Sequence, residues 1–221
     1  MNNKYSKFLY VYYRDWAEKA YNEICLNLPF VTNNQELLDY IETNKELKYI
    51  FFVGWSDLIG DEILNNFSCF CVHPSMLPLY RGGSPIQNQI IDGVLDSGVT
   101  LFKMNNKIDA GPVYAQKFLS LRGTLDEIFI RISFTSADLI RNFIMKIENG
   151  ESVSLVEQDE EKATLFKRRK PSQSEIKLDE FQNSTALQLY NKIRSLDDPY
   201  PNAYIKCADG SKLILKKVSI G

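Results

Sequence analysis

The sequence holds one histidine, His73, and that count already limits the chemistry. Mechanisms that need two imidazoles are excluded, a His-Glu-x-x-His zinc site among them. His73 lies where an apolar run, Cys69-Phe-Cys-Val72, gives way to a stretch rich in Pro and Gly at 73–85. In an open α/β sheet the carboxyl ends of the strands form the edge that binds ligands. A histidine placed there is a candidate for proton transfer. The second candidate is Asp109, in Asn105-Asn-Lys-Ile-Asp-Ala-Gly111, which also follows an apolar run, 99–104. If the two runs are neighbouring parallel strands, His73 and Asp109 emerge on one edge, where a carboxylate can hold the imidazole tautomer. Asp-x-Gly is equally a turn former, so Asp109 has a structural reading of the same weight.

Cys69, Cys71 and His73 alternate, so an extended strand points all three to one face. That pattern allows a metal site completed by Cys25 or Cys207. Free cysteines more often serve as small buried hydrophobes, and no metal is expected. The basic run Lys167-Arg-Arg-Lys170 either meets phosphate or is solvated. Arg81, in Tyr80-Arg-Gly-Gly83 beside the His73 loop, is the better anion-binding candidate. Other signatures are missing: no Gly-x-Gly-x-x-Gly loop, no Gly-Lys-Ser/Thr P-loop, and Gly54-Trp-Ser56 does not continue as a nucleophile elbow.

These residues need a scaffold that gathers strand ends, and the pattern supplies one. Strands are expected at 8–13, 49–53, 69–72, 99–104 and 113–119, with a short apolar piece at 28–31. Helices are expected at 15–28, 34–43, 60–65, 86–92 and 124–148. The last opens on a capping box, Thr124-Leu-Asp-Glu127, carries the stripe Ile128, Ile132, Leu139, Phe143 and Ile147, and stops at Gly150. Such alternation predicts an α/β fold with a mainly parallel sheet covered by helices on both faces. After Gly150 the composition turns polar. The expected organisation is a site-bearing domain at 1–156 and a small α+β appendage at 157–221. The appendage would hold a helix at 184–196 and a hairpin turning at Asp209-Gly210.

Composition bounds the rest. In 221 residues, 26 Lys plus Arg face 28 Asp plus Glu for a net charge of −2, and 44% of residues are hydrophobic. That is enough apolar content for a packed core. The charge balance opposes nucleic-acid binding by bulk electrostatics, which needs clustered cations. No run approaches the roughly 20 apolar residues of a membrane span, and Arg14-Asp15 interrupts the N-terminal apolar run too soon for a secretion signal. The four cysteines show no framework spacing, so a reducing, cytoplasmic setting is expected, with no nucleic-acid or membrane partner.

The segment His73-Pro-Ser-Met-Leu-Pro-Leu-Tyr-Arg-Gly-Gly-Ser-Pro-Ile-Gln87, with Gly98-Val-Thr100 and Asp109-Ala-Gly111, resembles the formyltransferases that use 10-formyltetrahydrofolate. Lys167-Arg-Arg-Lys-Pro-Ser-Gln-Ser-Glu175 and Arg194-Ser-Leu-Asp-Asp-Pro-Tyr-Pro-Asn-Ala-Tyr204 extend the likeness, which spans about residues 48–217. That family includes methionyl-tRNA formyltransferase, glycinamide ribonucleotide formyltransferase and the sugar N-formyltransferases. The resemblance implies a Rossmann-like formyltransferase fold and direct acyl transfer from 10-formyltetrahydrofolate to an amine. It makes His73 and Asp109 catalytic, His73 stabilising an oxyanion or relaying a proton and Asp109 accepting the amine's proton.

The family's catalytic asparagine falls on Cys71, a poor donor for a developing oxyanion. Another donor must then do the asparagine's work, or the protein is a catalytically impaired folate or nucleotide binder. Gly54, Trp55 and Ser56, together with Asn105, Lys107, Ile108 and Asp109, resemble the walls of the family's folate pocket. Ser75, Arg81, Gly82 and Gln87 lie where the amine substrate would enter. The small appendage and acidic balance make a nucleotide-linked amino sugar for a surface glycan (lipopolysaccharide, for example) the expected acceptor, with a homodimer as the expected assembly. Methionyl-tRNA and glycinamide ribonucleotide are the alternative acceptors.

Overall fold

The computed structural model describes residues 4–221. In chain order its elements are β1 (Phe8–Val11), α1 (Asp15–Ile24), β2 (Phe30–Val31), α2 (Asn34–Thr43), β3 (Tyr49–Val53), α3 (Asp61–Asn66), β4 (Ser68–His73), β5 (Arg81–Gly82), α4 (Pro85–Ile91), β6 (Asp96–Lys103), β7 (Val113–Ser120) and α5 (Leu125–Glu148). There follow β8 (Leu165–Phe166), α6 (Leu178–Asn183), α7 (Ala186–Arg194), β9 (Ala203–Lys206) and β10 (Lys212–Leu215).

Six strands form the main sheet in the order β2-β1-β3-β4-β6-β7. β3 explains why the sheet is covered twice, because its run Tyr-Ile-Phe-Phe-Val has no polar face to leave in water. Ile50 and Phe52 join Leu9, Val11 and Cys69 under α2 and α3. Phe51 joins Phe8, Tyr10, Phe70 and Val72 under α1 and α5. α5 starts at the expected capping box: Glu127 N–H donates to Thr124 Oγ1 and Thr124 N–H to Glu127 Oε2, at 3.3 and 2.9 Å.

The sheet is mainly parallel, with one departure that decides the site. β2, β1, β3 and β4 run parallel, but β6 lies antiparallel to β4, with Phe70 opposite Lys103 and His73 opposite Thr100. β7 reverses again. After β4 the chain runs through β5 and α4, and β6 re-enters the sheet from the end where β4 finished.

The C-terminal residues differ locally from expectation. The helix expected at 184–196 is α7, and α6 precedes it. Thr185 separates the two through a second capping box with Gln188, a signal present in Thr185-Ala-Leu-Gln188. The β9–β10 hairpin forms as expected, with Gly210 at φ +82°. Ile176, Ile193, Leu196 and Ala203 make a separate small core.

Phe143 is the keystone between α5 and the sheet, 1% exposed and in ring contact with Tyr49, Phe51, Phe70 and Tyr114. Phe143→Ala should lower unfolding free energy by about 3–5 kcal/mol. Urea denaturation checks this, and a loss under about 1 kcal/mol would contradict the role.

Candidate functional site

His73 ends β4 and is 5% exposed. Its Nε2 lies 2.7 Å from the Tyr80 carbonyl oxygen. A carbonyl only accepts, so Nε2 carries the hydrogen and Nδ1 is left facing Asp109. The Nδ1 to Asp109 Oδ2 distance is 3.4 Å. The two predicted residues are therefore together, though not by the route the sequence suggested. Because β6 is antiparallel, its end points away from His73, and Asp109 returns on the 104–112 loop. Gly111 permits the return, since a Cβ there would collide with the Lys103 carbonyl.

A closed ring of hydrogen bonds holds Asp109 in place. Asp109 Oδ2 accepts from the Gly82 N–H at 2.7 Å. Gln158 Nε2 donates to the carbonyls of Asp109 and Gly111 at 2.8 and 2.7 Å. Arg81 donates in turn to Gln158 Oε1 and, by both terminal nitrogens, to the Glu160 carboxylate at 3.0 and 2.8 Å. The ring keeps Asp109 at φ +49°, a left-handed conformation that a non-glycine residue adopts only when its surroundings impose it.

This overturns the expectation for Arg81. Its guanidinium is buried and spent on Gln158 and Glu160, so it is a clamp and offers no anion site. Gln158 and Glu160 escaped the sequence reading because they sit in a polar stretch without periodicity. That stretch then crosses the His73 loop. Tyr80 stacks on Phe166 at 5.0 Å, and β8 pairs with β5. At Gly82 and Gly83 a Cβ would collide with backbone atoms of Phe166 and Arg168, so the Arg-Gly-Gly sequence is what lets the strap pass.

The remaining expected residues divide into loop braces and surface. Ser75 is fully buried and donates to the Leu79 carbonyl at 2.6 Å, and Thr100 donates to the Ser75 carbonyl at 2.7 Å. Ser75 thus shapes the loop and does not face the opening. Gln87 is 4% exposed, with its amide Nε2 lacking a partner. Gly54, Trp55 and Ser56 leave β3 next to His73, one step beyond the Val53–Val72 pair. Trp55, Ile59, Cys71 and Met104 pack on one cluster. The Trp55 indole N–H is buried without an acceptor. Asn105 closes the loop by accepting from the Lys107 N–H at 2.9 Å, and Lys107 and Ile108 are exposed on its rim.

The surroundings of Cys71 do not activate its thiol. Burial pushes its thiol well above the ordinary value, and the Asp109 charge adds to the effect; at Cys69 burial raises it to about 12. A thiol needs the opposite environment to react. Among the described residues no three His, Cys, Asp or Glu side chains cluster as metal ligands.

Residues 30–135 match the family model described as Formyl transferase. Methionyl-tRNA formyltransferase from Clostridium thermocellum superposes with a TM-score of 0.81 at 31% identity, over 97% of this chain and 93% of that one. HypX from Aquifex aeolicus in complex with tetrahydrofolic acid gives 0.79 at 18% identity, over 96% of this chain and 37% of that one. A sugar N-formyltransferase from a Shewanella species gives 0.73 at 20% identity, over 96% and 97%; these last two show the fold alone. The chain spans 56%, 44% and 58% of the length of three curated methionyl-tRNA formyltransferases that it matches at 31–34% identity.

The thiol environments predict a labelling pattern. In native protein a thiol reagent should modify Cys25 and Cys207, which are exposed, and spare Cys69 and Cys71 until denaturant is added. Peptide mass mapping reads this, and rapid native labelling of Cys71 would contradict its assigned environment.

Proposed function

The chain belongs to the formyl transferase family, and from that premise we propose that it transfers a formyl group from 10-formyltetrahydrofolate to the amine of a nucleotide-linked amino sugar. The observation that carries this reading is the His73–Asp109 pair, held at the end of the sheet by Gly82 and Gln158. The donor supplies an activated formyl carbon. An apolar wall of Trp55, Ile59 and Met104 with a buried, unmatched indole N–H suits a flat heteroaromatic rich in acceptors.

An amine attacks only as the free base and must lose a proton as its new C–N bond forms. Asp109 accepts that proton on its carboxylate. With Nε2–H given to Tyr80, His73 presents Nδ1 to the same carboxylate, so the proton can be shared between them and returned to N10 as the C–N10 bond breaks. This arrangement favours the relay role for His73 over direct donation to an oxyanion. Cys71 lies on the same strand face and stays protonated, a filler and no more than a weak donor.

The near-neutral charge, 26 cations against 28 anions, supports a small acceptor over tRNA. A second reading, methionyl-tRNA as acceptor, is favoured by the 31% identity to the Clostridium thermocellum enzyme. Incubation with 10-formyltetrahydrofolate and each acceptor, with products read by mass, decides between them. Formylation of methionyl-tRNA alone would replace the sugar reading.

His73→Ala and Asp109→Asn should each lower kcat about 10²- to 10⁴-fold in folded protein, while Cys71→Ala retains most activity. Gln158→Ala should lower kcat about 10- to 100-fold through displacement of Asp109. Steady-state kinetics with circular dichroism as the folding control checks all four. Near wild-type rates for His73→Ala and Asp109→Asn would defeat the assignment.

A further inference from the structure

The His73 ring stands between two acceptors. Its Nε2 meets the Tyr80 carbonyl oxygen at 2.7 Å, and its Nδ1 faces Asp109 Oδ2 at 3.4 Å. A neutral imidazole has one N–H, so it donates to one acceptor and turns a lone pair on the other. The two choices differ chemically. With the hydrogen on Nε2, Nδ1 is a base directed at Asp109 and can take a proton from it. With the hydrogen on Nδ1, the ring donates to Asp109, and its remaining lone pair is wasted against a carbonyl. The relay from Asp109 through His73 needs the first tautomer, although an ionised carboxylate is the stronger acceptor. The Tyr80 carbonyl must therefore be held where it wins the hydrogen.

Thr164, in the strap just before β8, holds it. Its Oγ1 accepts from the Tyr80 N–H at 2.7 Å, and its carbonyl accepts from the Arg81 N–H at 2.9 Å. Its own N–H donates to the Pro78 carbonyl at 3.2 Å. The Arg81 N–H and the Tyr80 C=O belong to one planar trans peptide, in which the two bonds point in opposite directions. Fixing that N–H on Thr164 aims the Tyr80 carbonyl away from the strap and at His73. Tyr80 adopts φ +58°, a left-handed backbone that a bulky residue keeps only under outside constraint. The Thr164 hydroxyl supplies that constraint on the N–H side of Tyr80. The Tyr80 side chain is held separately, by its stack on Phe166 and by its hydroxyl, which donates to Asp92 at 3.0 Å. Thr164 itself is exposed, so its hydroxyl can be removed without opening the core.

We propose that Thr164 is a positioning residue that sets the His73 tautomer, holding the Tyr80 peptide so that the ring hydrogen stays on Nε2 and Nδ1 stays open towards Asp109. The role rests on the acid-base reading of the His73–Asp109 pair. Without the hydroxyl the Tyr80 peptide turns, its contact with Nε2 lengthens, and the ring hydrogen passes to Nδ1 to meet the carboxylate. The net change is one hydrogen moved between two nitrogens through solvent, with the ring neutral before and after.

The test exploits the lone histidine. Protein carrying ¹⁵N-labelled histidine gives a single pair of ring nitrogens, whose shifts and couplings to the ring hydrogens report the tautomer. Wild type, Thr164→Val and Thr164→Ser are compared by NMR with the ring in its neutral form. The Nε2–H form is expected in wild type and in Thr164→Ser, and a mixture with the Nδ1–H form in Thr164→Val. Turnover should follow the spectrum: kcat falls at least about tenfold in Thr164→Val, with KM for 10-formyltetrahydrofolate unchanged, and recovers in Thr164→Ser. Circular dichroism and thermal melting should be alike in all three. Thr164→Ala, which removes the hydroxyl without adding bulk, gives the same reading should valine disturb the strap. Wild-type ring shifts in both Thr164→Val and Thr164→Ala overturn the proposal, as does an Nδ1–H form in wild type or in Thr164→Ser. The spectra need no substrate. A wild type that formylates no amine defeats the transfer reading and leaves the tautomer result standing, whereas unchanged spectra in an active enzyme defeat the Thr164 role alone.

Discussion

The contact between Asp109 and His73 is the constraint around which the rest of the site is arranged. A strand order with β6 antiparallel to β4 directs the chain away from His73 at Lys103. Bringing a carboxylate back then requires a loop that folds over the sheet, a left-handed Asp109, and an outside clamp to hold both. Each of those requirements is met by a residue whose type looks unremarkable in isolation. Gly111 clears the Lys103 carbonyl, the Gly82 N–H fixes one carboxylate oxygen, and Gln158 ties down two carbonyls.

The clamp also joins parts of the chain that composition separates. Residues 157–166 read as the start of a polar appendage, yet they carry Gln158, Glu160 and the strand that pairs with Arg81-Gly82. The buried Arg81 therefore links the His73 loop, the Asp109 loop and the C-terminal strap. A buried guanidinium is tolerable only when its charge is matched and its donors are used, and Glu160 with Gln158 does both. Arg14 presents the reverse situation, a guanidinium at the neighbouring strand ends with aromatic faces and, among the described residues, no carboxylate partner. The two arginines differ in their partners and in burial.

Much of the scaffold was legible in the amino-acid order. The β3 run, the helix at Asn34–Thr43, the capping box of α5 and the β9–β10 hairpin each follow from periodicity or turn chemistry acting over a few residues. His73 and Asp109 were legible as candidates because a lone histidine after a buried strand and an Asp-x-Gly loop are local patterns. The family motif was legible for the same reason.

What the sequence by itself determined is thus the set of local elements and the two candidates, His73 and Asp109, that the fold brings together, since each depends on neighbours within one turn, one strand or one loop. Only the tertiary structure decided that β6 runs antiparallel, because the direction of a strand is set by the partner it pairs with and not by its own residues. It alone decided that Arg81 is spent on Glu160, that Gln158 holds Asp109, and that Arg14 lies over the Tyr200 ring. Those pairings join residues at least 49 positions apart, and no local preference selects one distant partner over another. Burial and hydrogen-bond satisfaction make that choice once the strand ends are brought together.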